Sequence, residues 1–309
     1  MIATGDGGLR KASPLKRIMR VHHLNCGTCC PLGGRLFDGT SNNLSRAHIV
    51  CHCLLIETSN GLVLVDTGFG TRDVQNPHRI STMFRLLNGI QFRDEETAIA
   101  QVRALGFDPQ DVRHIIVTHL DFDHAGGLED FPNAKVHLTL REKEAADIGA
   151  GGLVVGKRRY LPEQWDEVQK WHFYPMGGGE RWHGFDAVRG LEGLPPEILL
   201  IPLQGHTWGH AGVAIDTGNG WLLHAGDAYF FRDEICRRRR TCPPGMRGYQ
   251  RMMEVDRSSR LANQAKLRSL SLDELSKVKI FCAHDAVEFS RLTTLMRTDG
   301  STNSPQHLA

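Results

Sequence analysis

The stretch Thr118-His119-Leu120-Asp121-Phe122-Asp123-His124-Ala125-Gly126-Gly127 places four metal-binding side chains within six residues. It follows the apolar run Ile115-Ile116-Val117, which reads as a strand, and it ends in two glycines that let the backbone turn tightly. Imidazole nitrogens and carboxylate oxygens hold zinc, manganese or iron, and the end of a strand is where such side chains converge. A polar surface loop would account for one His and one Asp. It does not account for the lone candidates that follow, each near the end of a strand-like segment and beside small residues. These are His206 in Gln204-Gly205-His206-Thr207, Asp227 in His224-Ala225-Gly226-Asp227, and His284 in Phe281-Cys282-Ala283-His284-Asp285.

In order and spacing, this series resembles the metallo-β-lactamase-fold hydrolases, whose pattern is a His-x-His-x-Asp-His loop, a later His, a bridging Asp and a final His. The resemblance runs from about residue 18 to 290. The phrases around His119–Gly127 and Ala283-His284-Asp285 are most similar to the branch that holds N-acyl-homoserine lactonases and related esterases. It implies an α/β fold, an αββα sandwich of two mixed sheets flanked by helices, with the ligands on loops at one edge. One metal would be held by His119, Asp121 and His206, a second by Asp123, His124 and His284, with Asp227 bridging. Asp66, which ends a strand in Val65-Asp66-Thr67-Gly68, would stand behind the ligands as a hydrogen-bond acceptor; an ordinary turn carboxylate is the competing reading. The expected cofactors are two divalent transition metal ions, zinc first, with manganese or iron as alternatives.

One position departs from the family loop: its second His is Asp121 here. A carboxylate in that slot is known in the di-iron flavoprotein branch. With Asp121, Asp123 and Asp227 ionised, two divalent cations leave the site one positive unit where the usual loop leaves two. A site so charged is expected to favour harder metals.

The resemblance implies attack on a lactone, ester or thioester carbonyl, with Asp123 orienting the nucleophile and passing a proton to the leaving group. Tyr229 is a second catalytic candidate. The resembled lactonases carry a Tyr three residues after the bridging Asp, where this chain has Phe230, while Tyr229 stands two residues after it. The same metal loop also serves phosphotriesters and β-lactams. Two readings of other classes are a di-iron redox protein, which lacks support from any flavin motif, and a non-catalytic small-molecule binder, which sits poorly with a full set of ligand positions.

Composition narrows the partners. The 37 basic and 35 acidic residues leave a net charge of +2, which gives no general reason to invoke nucleic acid or an anionic membrane. Arg237-Arg238-Arg239-Arg240 is the one basic run, read as a solvated loop or an anion-binding rim. A small-molecule acyl substrate, a monomer or homodimer and a cytoplasmic location are expected, since neither a signal-peptide core nor a membrane-length apolar run is present. The eight cysteines are then expected as thiols, with Cys26-Gly27-Thr28-Cys29-Cys30 in a loop and Cys51 and Cys53 on one face of a strand.

Residues 1–15 and 296–309 read as loose tails around one domain, 16–295. Strands are expected near 20–24, 48–57, 62–66, 114–118, 198–202, 212–216, 221–224 and 278–282, and helices over 94–105 and within 256–270. Two segments exceed what the sandwich needs. Insertion 70–93 carries Phe84, Leu86, Leu87, Ile90 and Phe92; insertion 150–190 carries Tyr160, Trp165, Trp171, Phe173, Tyr174, Trp182 and Phe185. Pocket walls, satellite clusters and a dimer face are the readings open for them, and His172 and His183 are expected to be loop side chains rather than ligands.

Overall fold

A computed structural model describes residues 18–300 apart from 43, 44, 153, 237–239 and 274, with side chains through 294. Among the described residues, two six-stranded sheets form. The first holds β1 (Val21–Cys29), β2 (Ile49–Thr58), β3 (Gly61–Val65), β4 (Val112–Ile116), β5 (Lys135–Thr139) and β6 (Trp171–Tyr174) in that order, antiparallel from β1 to β3 and parallel from β3 to β6. The second holds β7 (Glu180–Trp182), β8 (Phe185–Gly190), β9 (Ile198–Pro202), β10 (Ala211–Asp216), β11 (Trp221–His224) and β12 (Val278–Phe281), in the order β12-β11-β10-β9-β8-β7. Only β11 and β12 are parallel neighbours there. The helices are α1 (Arg35–Asp38), α2 (Thr71–Gln75), α3 (Thr82–Asn88), α4 (Ala98–Ala104), α5 (Phe122–Ala125), α6 (Leu140–Asp147), α7 (Pro244–Met253), α8 (Arg257–Leu272) and α9 (Ala286–Gly300).

The layering follows from alternation along each strand. Leu54, Ile56, Val63 and Val65 point between the sheets, where they meet Ile198, Leu200, Val213 and Ile215. Their neighbours Leu55, Leu62 and Leu64 point outward against Ala98 and Val102 of α4 and Ala146 of α6. On the far side, Ile201, Ala214 and Leu223 meet Leu267 and Leu270 of α8. Both faces of each sheet are covered, so β2 reads as a continuous apolar run rather than a half-polar one. This is the αββα sandwich that the sequence implied.

Four details differ from the sequence reading. Residues 171–190 are not outside the sandwich: they supply β6 to the first sheet and β7 and β8 to the second. β6 and β7 are edge strands with few buried residues, and such strands lack the apolar alternation that marks central ones. Cys26 and Cys29 lie in β1 rather than a loop, because the strand continues through an irregularity between Asn25 and Thr28, and small buried thiols serve there as core residues. The helix expected over 94–105 begins only at Ala98, since Thr97 caps it by accepting from the Ala100 amide, and α9 carries regular backbone through Gly300, past the start of the expected tail. No helix among the described residues is long and apolar enough to cross a membrane.

Candidate metal centre

The ligand candidates sit beyond the C-terminal ends of β4, β9, β11 and β12, gathered along one edge of the sandwich. Loop chemistry aims them there. Asp121 precedes α5, which carries Asp123 and His124 on its single turn. Gly226 adopts φ 52°, and a Cβ at that position would lie 2.5 Å from His210 Nε2, so only glycine admits the turn that delivers Asp227. Two side chains of α8 brace neighbouring loops: Asn263 donates to the Gln204 carbonyl at 2.8 Å and Gln264 to the Ala228 carbonyl at 3.0 Å. Buried Glu142 of α6 accepts the backbone N–H groups of Leu120 at 3.1 Å and Gly209 at 3.0 Å, which ties the loop of the first sheet to that of the second.

The seven ligand candidates form two groups that share Asp227. Around its Oδ2 lie His206 Nε2 at 3.3 Å and His119 Nε2 at 3.7 Å, while Asp121 Oδ2 is 3.0 Å from His206 Nε2 and 3.4 Å from His119 Nε2. Around its Oδ1 lie His284 Nε2 at 3.1 Å and His124 Nε2 at 3.3 Å, with the two imidazoles 3.4 Å apart and Asp123 Oδ2 3.8 Å from His284 Nε2. A tetrahedral ion about 2.0–2.1 Å from each ligand sets its ligands about 3.3–3.4 Å apart, close to the spacing of the first group and of His124, Asp227 and His284 in the second, with Asp123 farther out beside His284 and Cys51. His119 Nε2 and Asp227 Oδ1 are buried without a hydrogen-bond partner, the state expected of atoms whose partner is a cation. Cys51 adds a thiol that sequence alone did not connect with the site; its Sγ lies within 4.8 Å of ligand atoms of Asp123 and His284.

The rear of the histidines is equally ordered. Asp66, buried with φ 56°, accepts His124 Nδ1 at 2.8 Å, the Thr118 amide at 2.7 Å and the Thr118 hydroxyl at 2.8 Å. His284 Nδ1 donates to the Val50 carbonyl at 2.8 Å. Each contact leaves Nε2 facing the centre. His210, four residues beyond His206, accepts the Asp227 amide at 2.8 Å and donates to the Leu203 carbonyl at 3.0 Å. Burial lowers every imidazole here. Asp227 and Asp66 outweigh it for His124, and Asp227 with Asp123 outweighs it for His284, which is raised to about 9; His119, where burial and His124 prevail, falls to about 4. Burial likewise raises Asp123, against the pull of His124 and His284.

Asp121 has a partner that the sequence did not reveal. Arg159, fully buried, donates from Nε to Oδ1 at 2.5 Å and from Nη2 to Oδ2 at 2.6 Å. Burial opposes ionisation of Asp121, yet the guanidinium and His119 hold its carboxyl well below the usual range. The count of one positive unit made from the ligands alone therefore omitted a cation.

A narrow cleft opens onto the other group, lined by Asp123, His284, Phe230, Tyr249, Met246, Phe37, Ile49, Leu87, Asn88, Pro31 and Cys29. Tyr229 does not line it. Its hydroxyl is buried against Glu288, 3.1 Å from both carboxyl oxygens. Phe230 faces the cleft instead, stacked on His284 with ring centroids 5.1 Å apart, and Tyr249 of α7 stands 6.0 Å from Phe230. The aromatic insertions contribute little to this wall: Leu87 lines it, whereas Phe84, Tyr160, Trp165 and Phe185 belong to hydrophobic clusters. His172 pairs with Glu192 and His183 packs on Trp182, away from the ligands. Arg237, Arg238 and Arg239 lie outside the described residues; Arg240 pairs with Glu234 at 3.1 Å. The eight cysteines are free thiols.

Known proteins match this arrangement. The sequence model described as the metallo-beta-lactamase superfamily matches residues 48–275. A probable metallo-hydrolase of Mycobacterium tuberculosis is 40% identical over 267 residues, covering 86% of this chain and 80% of its own length, and one from Mycobacterium bovis matches to the same extent. The N-acyl homoserine lactonase of Bacillus cereus is 29% identical over 216 residues, 66% of this chain and 78% of that protein. Among solved structures, an N-acyl homoserine lactone hydrolase with N-hexanoyl-L-homoserine at its catalytic metal centre shares the fold, with a TM-score of 0.65, 21% identity, and coverage of 89% of this chain and 96% of that one. A His/Asp cluster at one edge of an αββα sandwich and a family match over most of the sequence lead to one conclusion: this chain belongs to the metallo-beta-lactamase superfamily.

Proposed function

We propose that the protein is a dinuclear metal-dependent hydrolase acting on the carbonyl of a lactone, ester or thioester. The observation that carries this reading is that Asp227 reaches both groups: its Oδ2 lies 3.3 Å from His206 and 3.7 Å from His119, its Oδ1 lies 3.3 Å from His124, and His284 is 3.1 and 3.2 Å from the two oxygens. The lactonase relatives support the acyl substrate class. His119, Asp121 and His206 would hold one ion, Asp123, His124 and His284 the other, with Asp227 shared. When bound, the two ions supply Lewis acidity and an activated water near neutral pH.

The chain's own residues then divide the remaining work. Phe230, Met246, Phe37 and Ile49 give the cleft an apolar lining that favours an uncharged acyl chain and excludes bulk water from the carbonyl. Asp123 borders both the cleft and the ligand cluster, so its carboxyl accepts a proton on one side and returns it to the leaving oxygen or sulfur. Tyr249 supplies a phenol on the cleft wall, the donor that Phe230 lacks, and would donate to the carbonyl oxygen of a substrate bound there.

Elemental analysis of protein purified without chelator should find about two equivalents of zinc, manganese or iron, as a two-ion site requires. A panel of lactones, aryl esters, thioesters, phosphotriesters and a chromogenic β-lactam then sorts the substrate class. Turnover confined to phosphotriesters or the β-lactam, with metal fully loaded, overturns the acyl assignment.

A further inference from the structure

We propose that Asp121 and Arg159 act as one unit in the place of the family's second histidine, the guanidinium turning the carboxylate toward His119 and His206 and cancelling its charge. The inference rests on the two-ion reading above.

Three observations carry it. The first is the contact itself: a two-pronged pair between Nε and Oδ1 and between Nη2 and Oδ2, both residues buried, is the strongest geometry open to these side chains. The second is that the guanidinium is anchored independently of Asp121. Its Nη1 donates to the carbonyls of Met253 at 2.7 Å, His206 at 3.2 Å and Gly151 at 3.3 Å, so the fork is fixed by backbone before the carboxylate meets it. The third is where the cation stands. Nη2 reaches Asp121 Oδ2 and His206 Nε2, at 2.6 and 2.7 Å, but among the described residues no ion pair joins Arg159 to Asp227, and His119 Nε2 keeps no partner. A guanidinium filling the centre of the group would touch all four. It meets only the Asp121–His206 edge instead, and an ion held by His206 would displace Nη2 from the Nε2 lone pair.

The charge count follows. Three carboxylates, two divalent cations and one guanidinium sum to two positive units, the value of a loop with His in this position. Asp121 thus does not make the site more anionic, and Arg159 is a positioning residue whose loss exposes an unbalanced carboxylate, just as loss of Asp121 strands a buried cation.

A double-mutant cycle tests the unit. In chelator-treated protein, Asp121→His is expected to lower the melting temperature by at least about 5 °C with Arg159 present, and to leave it unchanged or raise it in an Arg159→Met background. In metal-reconstituted protein, Asp121→His should lose one of the two equivalents and Asp121→His/Arg159→Met should regain it. Arg159→Lys keeps the charge but not the fork, and should weaken one equivalent about 10–100-fold in competition with a chromogenic chelator, which covers the case where Asp121→His fails to fold. Identical effects of Asp121→His in both backgrounds, or unchanged affinity in Arg159→Lys, overturn the proposal. So does uptake of an additional ion by Arg159→Met, which would make Arg159 an occupant rather than a partner. A wild type that takes up no ion overturns the functional reading, and the chelator-treated cycle, which needs no metal, then decides the pair alone.

Discussion

The two groups that share Asp227 are built to opposite specifications. His119, Asp121 and His206 are sealed: Arg159 forks onto the carboxylate, Glu142 pins the backbone of both loops, and none of the three lines the cleft. Asp123 and His284 instead look onto a cleft whose lining includes Phe230, stacked on His284, and Tyr249. Under the proposed function, the difference teaches a division of labour, in which the sealed half would fix charge and geometry and the open half would meet the substrate. Low-dielectric enclosure makes fixed charges act strongly at short range, while a cleft gives binding area and access.

Asp227 is the one residue common to both halves, so its loss should produce the largest effect. Asp227→Ala removes an oxygen from each group and leaves the four histidines without a shared anion. Turnover is expected to fall by about three powers of ten or more, with metal content dropping well below two equivalents. Retention of both ions by this variant, measured by elemental analysis, would break the comparison at its root, since the halves would then be independent.

Tyr249→Phe sharpens the open side. Tyr249 lines the cleft, and among the described residues no hydrogen bond joins its phenol to a ligand candidate, so its removal should leave metal content and melting temperature unchanged while kcat falls about 100-fold. Phe230→Tyr in the same background returns a hydroxyl beside His284 and should recover part of that loss. Unchanged kcat in Tyr249→Phe would assign the ring to packing alone.

How much of this was legible depends on whether the signal lay in one stretch of chain. The ligand loop was readable because four donors sit in six residues and glycines follow them; the central strands were readable because they are continuous apolar runs. Asp66 accepts from His124 Nδ1, a contact of the kind the family resemblance implied, which its strand-end position before a glycine did not by itself distinguish from a turn carboxylate. Arg159 gave no cue: it stands in the ordinary basic run Lys157-Arg158-Arg159, and only folding brings it to a carboxylate 38 residues away. His210 was nearer to hand, four residues after His206 in a Gly-bearing loop, but its task is to accept an amide, which no spacing rule announces. Tyr249 is hidden for the same reason as Arg159, because α7 lies some twenty residues beyond Phe230 and meets it only across the cleft. Edge strands β6 and β7 were taken for an insertion because solvent on one side erases the alternation that burial imposes.

The smallest effect on turnover is expected where Tyr229 points away from the chemistry. Its phenol and the Cys282 amide both bond the Glu288 carboxyl, which burial, with Asp285 nearby, pushes from its ordinary 4.5 to about 8. The folded chain therefore holds a proton there that the unfolded chain has released, and the sign is fixed: stability contributed by this group falls as pH rises between 4.5 and 8, by at most about 1.4 kcal/mol per pH unit. Glu288→Gln keeps the shape but does not titrate. Urea unfolding of chelator-treated protein at pH 5.5, 6.5 and 7.5 should show the wild type losing stability relative to Glu288→Gln across the series, with turnover of the metal-loaded variant little changed. A constant difference between the two across that window removes the buried proton from the account. A large loss of turnover would instead draw Tyr229 and Glu288 into the open half, and the boundary between a structural rear and a reactive front would have to be moved.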